Sequence, residues 1–178
     1  MWQINPVQPV KLIIGILAAD EQCLTKALET LKAKFGDFDL VSDTWSFTQT
    51  DYYVKEIGTE PLRQFVAIDK LIDPGELAQI KHRTNELEKA LAKTLRDDLP
   101  RPVNLDPGLI EPSKLILAST KNFSHRIYIG DNMYAEVTLI YDKKRWRCFD
   151  WTYPDYQTQH YQGFLSKVRI RLLEQLKS

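Results

Sequence analysis

Residues 10–18 read VKLIIGILA, a continuous aliphatic run rich in β-branched side chains that is typical of a strand buried on both faces. A helix is predicted directly after it, because Asp20 can cap a helix and apolar residues then recur at helical spacing up to Phe35. Gly36 stands where a glycine commonly ends a helix. A strand that leads straight into an amphipathic helix indicates a sheet packed against helices.

The helix that begins near residue 74 has the clearest start signals in the chain. Asp73 is placed to cap it, Pro74 occupies the first helical position, and Glu76 stands three residues after the cap. An apolar stripe then continues at helical spacing to about residue 96. We predict that Asp73 caps this helix.

Strands account for most of the remaining pattern. They are predicted at residues 38–54 (with a bend), 62–71, 114–119, 125–129, 133–141 and 146–151. A turn is predicted at Asp106-Pro107-Gly108, with Pro107 fixing φ and Gly108 adopting a positive φ. A last amphipathic helix is predicted at residues 158–177. The order indicates a ferredoxin-like βαββαβ core, extended by an antiparallel strand meander and a C-terminal helix, so residues 1–178 are predicted to form a single α+β domain.

The composition argues against several partners and compartments. Lysine plus arginine and aspartate plus glutamate both number 24, so the formal net charge of zero supplies no general basic surface for nucleic acid. No apolar stretch is long enough to cross a membrane, and the run at 10–18 is better explained as a strand than as a signal peptide. Cys23 and Cys148 have no metal-ligand spacing and are interpreted as core-filling thiols, so we expect a cytoplasmic protein.

Motifs of the common nucleotide-binding and hydrolytic enzymes are absent from the sequence. There is no G-x-x-x-x-G-K-[ST] phosphate loop, no G-x-G-x-x-G, no H-E-x-x-H and no G-x-S-x-G. These absences leave the question of enzymatic activity open, and no cofactor is indicated.

The first candidate for a functional site is the hairpin around Gly130-Asp131-Asn132. If these three residues form the loop, Ile127 lies on the apolar face with Val137, and Arg126 lies opposite Glu136 on the other face. We predict that Arg126 and Glu136 pair there. An ordinary cross-strand ion pair without a functional role is the alternative interpretation.

Polar side chains suited to an anion occur at two further places. The sequence Ser-Thr-Lys-Asn at residues 119–122 offers two hydroxyls, an ammonium and a carboxamide to a phosphate or carboxylate, although an ordinary polar turn has the same composition. A polar stripe on the helix after Pro74 is typical either of a cleft or of a solvated flank. It consists of Lys81, Thr84, Asn85 and Glu88.

The aromatic segment Trp151-Thr152-Tyr153-Pro154-Asp155-Tyr156 leads into the last helix. Its rings suit stacking against a base or a sugar, and a core segment with a proline turn is the alternative interpretation. The carboxylates of Asp106, Glu136 and Asp155 are ligands of the type that divalent cations prefer. Their spacing does not require a metal, and none is predicted.

Seven motifs, in order over nearly the whole chain, make the sequence similar to a known family. They are Thr50-x-Tyr52-Tyr53-x-x-Glu56-x-Gly58, Lys81-x-x-Thr84-Asn85-x-x-Glu88, Asn104-Leu105-Asp106-Pro107-Gly108, Leu117-Ala118-Ser119-Thr120-Lys121, His125-Arg126-Ile127-Tyr128, Glu136-Val137-Thr138-Leu139 and Trp151-Thr152-Tyr153-Pro154-Asp155-Tyr156. This pattern resembles the bacterial family catalogued as domain of unknown function 4416. The resemblance implies no established activity. Some members carry the label GTP-binding protein, which the missing phosphate loop does not support here.

Two functions remain open at this point. In the first, the protein binds a phosphorylated or nucleotide-like small molecule. Lys121 and Arg126 would bind its anionic oxygens, Glu136 would act as a base or orient Arg126, and Tyr153 or Trp151 would stack on it. In the second, the polar strand face and the aromatic loop contact a macromolecule without catalysis. The predicted ligand-binding residues are Lys121, Arg126, Glu136, Thr120, Asp106, Trp151, Tyr153 and Asp155, and we expect Lys121, Arg126, Glu136 and Asp106 to share one pocket.

Overall fold

A computed structural model describes residues 2–48, 54–95 and 98–177 of the chain. Its strands are β1 (Lys11–Ala18), β2 (Phe38–Val41), β3 (Trp45–Ser46), β4 (Leu62–Ile68), β5 (Val103–Ile110), β6 (Lys114–Ser119), β7 (Ile127–Gly130), β8 (Met133–Asp142) and β9 (Arg145–Cys148). Its helices are α1 (Glu21–Phe35), α2 (Val54–Ile57), α3 (Leu77–Ala92) and α4 (Gln159–Gln175). Two 3₁₀ turns, Pro74–Glu76 and Pro154–Gln157, precede α3 and α4. Within these ranges, none of the helices combines the length and the apolar character that crossing a bilayer requires.

The strands of the described residues join into one antiparallel sheet. The order is β2-β4-β1-β5-β6-β8-β7, with β3 beside β4 and β9 beside β8. The elements β1, α1, β2, β4, α3 and β5 form a ferredoxin-like unit, because their strands take the order β2-β4-β1-β5 and both helices pack on one face. The predicted α+β fold, with its antiparallel extension and its C-terminal helix, is confirmed.

Helices cover both faces of the sheet, which explains why the first strand is apolar almost throughout. Every residue of β1 is buried. Leu12 and Ile14 pack with α1 and α3 on one face, whereas Ile13 packs with α4 on the other. The C-terminal helix contributes Phe164 and Leu165 to that second core.

One predicted turn is wrong, and the error concerns the region that forms the site. Asp106-Pro107-Gly108 lie inside β5, so β5 completes the ferredoxin-like unit and residues 114–119 begin the extension. Gly108 does not have the predicted positive φ. A glycine is nevertheless required there, because a Cβ would lie 2.6 Å from Leu117 Cδ2 and 2.8 Å from the carbonyl oxygen of Ile116 on β6.

Three smaller predictions also need correction. Residues 38–54 form β2, β3 and the first residue of α2 instead of one bent strand, and residues 49–53 lie outside the described residues. Cys148 is exposed and is not a core-filling thiol, whereas Cys23 is buried as expected. The β7–β8 loop has two residues instead of three, Asp131 and Asn132, both with positive φ, as in a type I′ hairpin.

Asp73 caps the 3₁₀ turn that leads into α3, as predicted. Its side chain accepts a hydrogen bond from Gly75 N at 2.7 Å, and Glu76 Oε1 accepts one from Asp73 N at 3.3 Å. The variant Asp73→Ala is expected to lose about 1 kcal/mol of unfolding free energy, because donors at the helix start lose their acceptor. Urea denaturation measures the loss, with the exposed Asp150→Ala as control. Equal midpoints for wild type and Asp73→Ala would contradict the stabilising role of the cap.

Candidate functional site

A pocket of about 680 Å³ opens at the end of the sheet where β5 and β6 are no longer paired. Glu111 N donates to the carbonyl of Lys114, so odd-numbered residues along β5 direct their backbone groups toward β6. The pairing runs only from Gly108 to Ile110, because the next nitrogen on that side belongs to Pro107, which has no N–H. The lining residues are Phe47, Arg63, Lys81, Arg101, Asn104, Asp106, Leu117, Ala118, Ser119, Thr120, Lys121, Asn122, Phe123, Arg126, Glu136, Tyr153, Pro154, Asp155 and Tyr156.

Side chains of α3 occupy the edge of β5 that β6 leaves unpaired. Glu88 Oε1 accepts a hydrogen bond from Leu105 N at 2.7 Å, and Lys81 Nζ donates to the Leu105 carbonyl oxygen at 2.9 Å. Glu88 Oε2 also accepts from Arg101 Nη2 at 2.6 Å. Lys81, Thr84 and Glu88 are buried, so the polar stripe on this helix is not a solvated flank. It supplies the hydrogen bonds that a neighbouring strand would otherwise make.

Asp106 lines the pocket from β5 with its side chain 30% exposed. Its Oδ2 accepts a hydrogen bond from Asn104 Nδ2 at 2.6 Å. Lys81 Nζ lies 3.5 Å from Oδ1, and Arg63 Nη1 lies 3.8 Å from Oδ2. Burial acts to raise the pKa of Asp106, but the charges of Lys81, Arg63 and Arg101 outweigh it and lower that pKa. Asp106 is therefore an ionised carboxylate at neutral pH that a ligand can reach.

Arg63, from β4, lies between two carboxylates at the inner side of the pocket and is only 3% exposed. Its Nη2 donates to Asp155 Oδ2 at 3.4 Å, and its guanidinium carbon lies 5.1 Å from the Phe47 ring centroid and 5.7 Å from that of Phe65. Its Nε and Nη1 atoms have no hydrogen-bond partner within the described part of the chain. Burial raises the pKa of Asp155, and the charge of Arg63 opposes that rise.

Arg126 and Glu136 form the predicted cross-strand ion pair, with 2.8 Å between Arg126 Nε and Glu136 Oε2. Arg126 also donates to Ser119 Oγ at 3.0 Å, to the Lys121 carbonyl oxygen at 2.9 Å and to Tyr153 Oη at 2.7 Å. Four of the five N–H groups of Arg126 are therefore engaged within the protein. Its main role is to hold the loop after β6 against Tyr153.

The carboxylate of Glu136 is buried and fully engaged. Besides Arg126, it accepts a hydrogen bond from Thr138 Oγ1 at 3.0 Å and lies 3.2 Å from His125 Nε2. Ile127 is 71% exposed, and strand alternation directs it to the face away from this carboxylate, as predicted. Burial, followed by the nearby charge of Glu136, raises the pKa of the Tyr153 hydroxyl.

The structure brings most of the predicted ligand-binding residues to this pocket. Those in its lining are Asp106, Thr120, Lys121, Arg126, Glu136, Tyr153 and Asp155. Trp151 is not in the lining. Trp151 Nε1 donates a hydrogen bond to the Val137 carbonyl oxygen at 3.0 Å. Val137 lies on the part of β8 between the residues that pair with β7 and those that pair with β9. The Trp151 ring stacks with the rings of His125 and Phe149. Trp151 therefore closes a gap at the sheet edge.

Several residues of the pocket were missed by sequence reasoning. They include Phe47, Arg63, Arg101 and Phe123, and Asn104 was noted only within a family motif. Arg63 had a usable signal, because it lies in the predicted strand at 62–71 just before the apolar stretch FVAI, and an arginine must be paired if such a strand is buried. The predicted motif at Thr50, Tyr52 and Tyr53 lies outside the described residues. Among the described residues, no three His, Cys, Asp or Glu side chains are gathered as in a metal site.

Comparison with known proteins adds a family to this geometry. Neither the curated proteins nor the solved structures give a match to the chain. The model of a family described as Domain of unknown function (DUF4416) matches residues 8–171, a range that includes every element from β1 to β9 and most of α4. The chain belongs to this family.

Proposed function

We propose that this protein binds a phosphorylated small molecule, of nucleotide-like or smaller size, in the pocket between β5 and β6. The observation that carries the proposal is the charge of the lining. Its cationic side chains are Arg63, Lys81, Arg101, Lys121 and Arg126, and its carboxylates are Asp106, Glu136 and Asp155. Glu88 and Glu56, outside the lining, pair with Arg101, so the positive excess that favours an anionic ligand lies toward Lys121 and Arg126. A volume of about 680 Å³ is ample for a ligand of this size.

The lining cations differ in exposure and in their partners, and Arg101, at 33% exposed, is paired with Glu88 and Glu56. Lys121 is exposed at the end of β6, where its N–H also donates to Ser119 Oγ at 3.1 Å. With the neighbouring Thr120 hydroxyl, it is the group best placed to contact phosphate oxygens directly. Arg63 and Lys81 are buried beside Asp106 and Asp155, so they offset the charge of those carboxylates and do not contact the ligand directly. Arg126 positions the loop that carries Lys121 and has one N–H left for the ligand.

The second candidate function, contact with a macromolecule through the polar strand face, has less support. Such a role needs a flat, accessible surface, but the side chains of Arg126 and Glu136 are only 10% and 1% exposed. Trp151 and Tyr153, the aromatic part of that hypothesis, are 38% and 42% exposed, but the Trp151 ring stacks on His125 and Phe149 and the Tyr153 hydroxyl accepts a hydrogen bond from Arg126.

A thermal-shift screen of phosphorylated compounds tests the proposed function, because a ligand that binds only the native state raises the melting temperature. We expect phosphorylated compounds to raise it and their unphosphorylated counterparts to leave it unchanged. Lys121→Ala is expected to weaken binding by about tenfold, measured by titration calorimetry, because one charge-assisted contact to phosphate is lost. Lys34→Ala, an exposed lysine on α1, is the matched control. Full affinity in Lys121→Ala would rule out the assigned anion contact.

A further inference from the structure

Asp106 differs from the other two carboxylates of the pocket in being open to a ligand. Its side chain is 30% exposed, compared with 8% for Asp155 and 1% for Glu136. The Glu136 carboxylate has three partners, His125 and Arg126 from the loop before β7 and Thr138 from β8, so it has little capacity for a further one. Among the described residues of the lining, a ligand therefore meets one accessible carboxylate, that of Asp106.

The surroundings of Asp106 determine which ligand group suits it. Lys81 and Arg63 lie 3.5 Å and 3.8 Å from its oxygens and already balance its charge. A cationic ligand group would be repelled by those two side chains, and a second anion would be repelled by the carboxylate itself. A neutral hydrogen-bond donor meets neither penalty, because a carboxylate accepts a strong hydrogen bond from a hydroxyl.

The remaining walls of the pocket suit a ligand whose hydroxyls are carried on a carbon skeleton. Besides its charged side chains, the lining includes apolar or aromatic surface. The contributing side chains are Phe47, Leu117, Ala118, Phe123, Pro154 and Tyr156. Such surfaces pack against the C–H faces of a ring or chain, while polar groups at either end fix its orientation.

We infer that the ligand is a phosphate ester of a hydroxylated carbon skeleton, a sugar or polyol phosphate, with a hydroxyl group bonded to Asp106 and the phosphate at Lys121. This inference rests on the proposed function. It adds the substrate class and makes Asp106 the residue that selects the hydroxylated part. The buried cations Lys81 and Arg63 keep Asp106 ionised, which maintains it as an acceptor.

Calorimetric titration of the full chain with four probes tests this inference. The probes are glucose 6-phosphate, ribose 5-phosphate, ethyl phosphate (a phosphate ester without hydroxyls) and glucose. We expect at least one sugar phosphate to bind about tenfold or more tightly than ethyl phosphate, since a hydrogen bond to a charged group is lost with the hydroxyls. Glucose alone should not bind measurably. This comparison on the wild-type protein does not depend on any variant folding.

The variant Asp106→Asn identifies the residue. It should bring sugar phosphates and ethyl phosphate to within about threefold of one another while leaving ethyl phosphate binding in place. Asp142→Asn, an exposed aspartate on β8 that pairs with Arg147, is the control and should keep the wild-type preference. Equal affinities of the wild type for sugar phosphates and ethyl phosphate would overturn this inference but not the proposed function. A preference for sugar phosphates that persists in Asp106→Asn would do the same. Failure of every phosphate ester to bind would overturn the proposed function as well.

Discussion

Replacing Arg63 by methionine is expected to lower the free energy of unfolding at neutral pH by about 3–5 kcal/mol, because two carboxylates are left in place without their shared cation. Arg63 is 3% exposed and lies 3.4 Å from Asp155 and 3.8 Å from Asp106. Methionine fills much of the volume of the arginine side chain but has no charge. The loss of unfolding free energy therefore reflects the removed charge more than a cavity. Urea denaturation at pH 7 measures it.

The pH dependence distinguishes this explanation from a simple packing defect. The charges around Asp106 lower its folded pKa, so this carboxylate stabilises the fold above its unfolded pKa of about 4, and the contribution is lost as pH falls through the lower folded value. Without Arg63 the folded pKa values of Asp106 and Asp155 both rise. The deficit of Arg63→Met relative to wild type should therefore shrink as pH falls from 7 toward 4, where the two carboxyls take up protons.

Two further variants serve as controls for Arg63→Met. Adding Asp155→Asn to it should recover part of the lost stability, because one uncompensated carboxylate is removed. Arg147→Met, which removes an arginine from an exposed ion pair with Asp142, should change stability by less than about 0.5 kcal/mol. A deficit in Arg63→Met that is constant from pH 7 to 4 would show that the two carboxylates are not responsible.

The fold was predictable from sequence to the extent that local pattern and tertiary role agree. The apolar run at residues 10–18 predicted β1 correctly, because a strand buried on both faces needs apolar residues throughout. Asp73 and Glu76 predicted the start of α3 correctly, because a capping box requires particular residue types at fixed spacing. β5 was missed because its centre reads Asp106-Pro107-Gly108, which locally favours a turn. Tertiary contacts override that preference: β1 pairs along the whole of β5, and close packing against β6 requires Gly108.

The site was predictable in part for a similar reason. Residues close in sequence, such as Lys121 and Arg126 or the Arg126–Glu136 pair, follow from strand parity and short connections. The contribution of Lys81 and Glu88 does not, because both bond the edge of β5 that β6 leaves unpaired, and the sequence around Pro107 predicted a turn there instead of a strand. The wrong turn prediction at residues 106–108 therefore hid the reason why α3 carries buried charged side chains.

The second large loss of stability is expected when the Glu88 side chain, which bonds the unpaired edge of β5, is removed. Glu88→Ala is expected to lower the free energy of unfolding by about 3–5 kcal/mol, because the change leaves the buried N–H of Leu105 without an acceptor and removes the nearer of the two carboxylates that pair with Arg101. Glu88→Gln keeps an acceptor for Leu105 and loses only the charge. Burial raises the pKa of Glu88 against the opposing charges of Lys81 and Arg101, so its ionised form is held at some cost and the glutamine should be much better tolerated.

Urea denaturation of the two Glu88 variants beside Glu29→Ala separates edge capping from general loss of charge. Glu29 forms an exposed ion pair with Lys26 on α1, and its removal should change stability by less than about 0.5 kcal/mol. If the Leu105 hydrogen bond is the main contribution, Glu88→Gln should retain more than half of the stability that Glu88→Ala loses, and hydrogen exchange at the Leu105 amide should be accelerated only in the alanine variant. Equal losses in Glu88→Gln and Glu88→Ala would instead assign the effect to the ion pair with Arg101. Protection of the Leu105 amide in Glu88→Ala would show that the edge of β5 does not need a side chain from α3, since an unpaired N–H exposed to water exchanges rapidly.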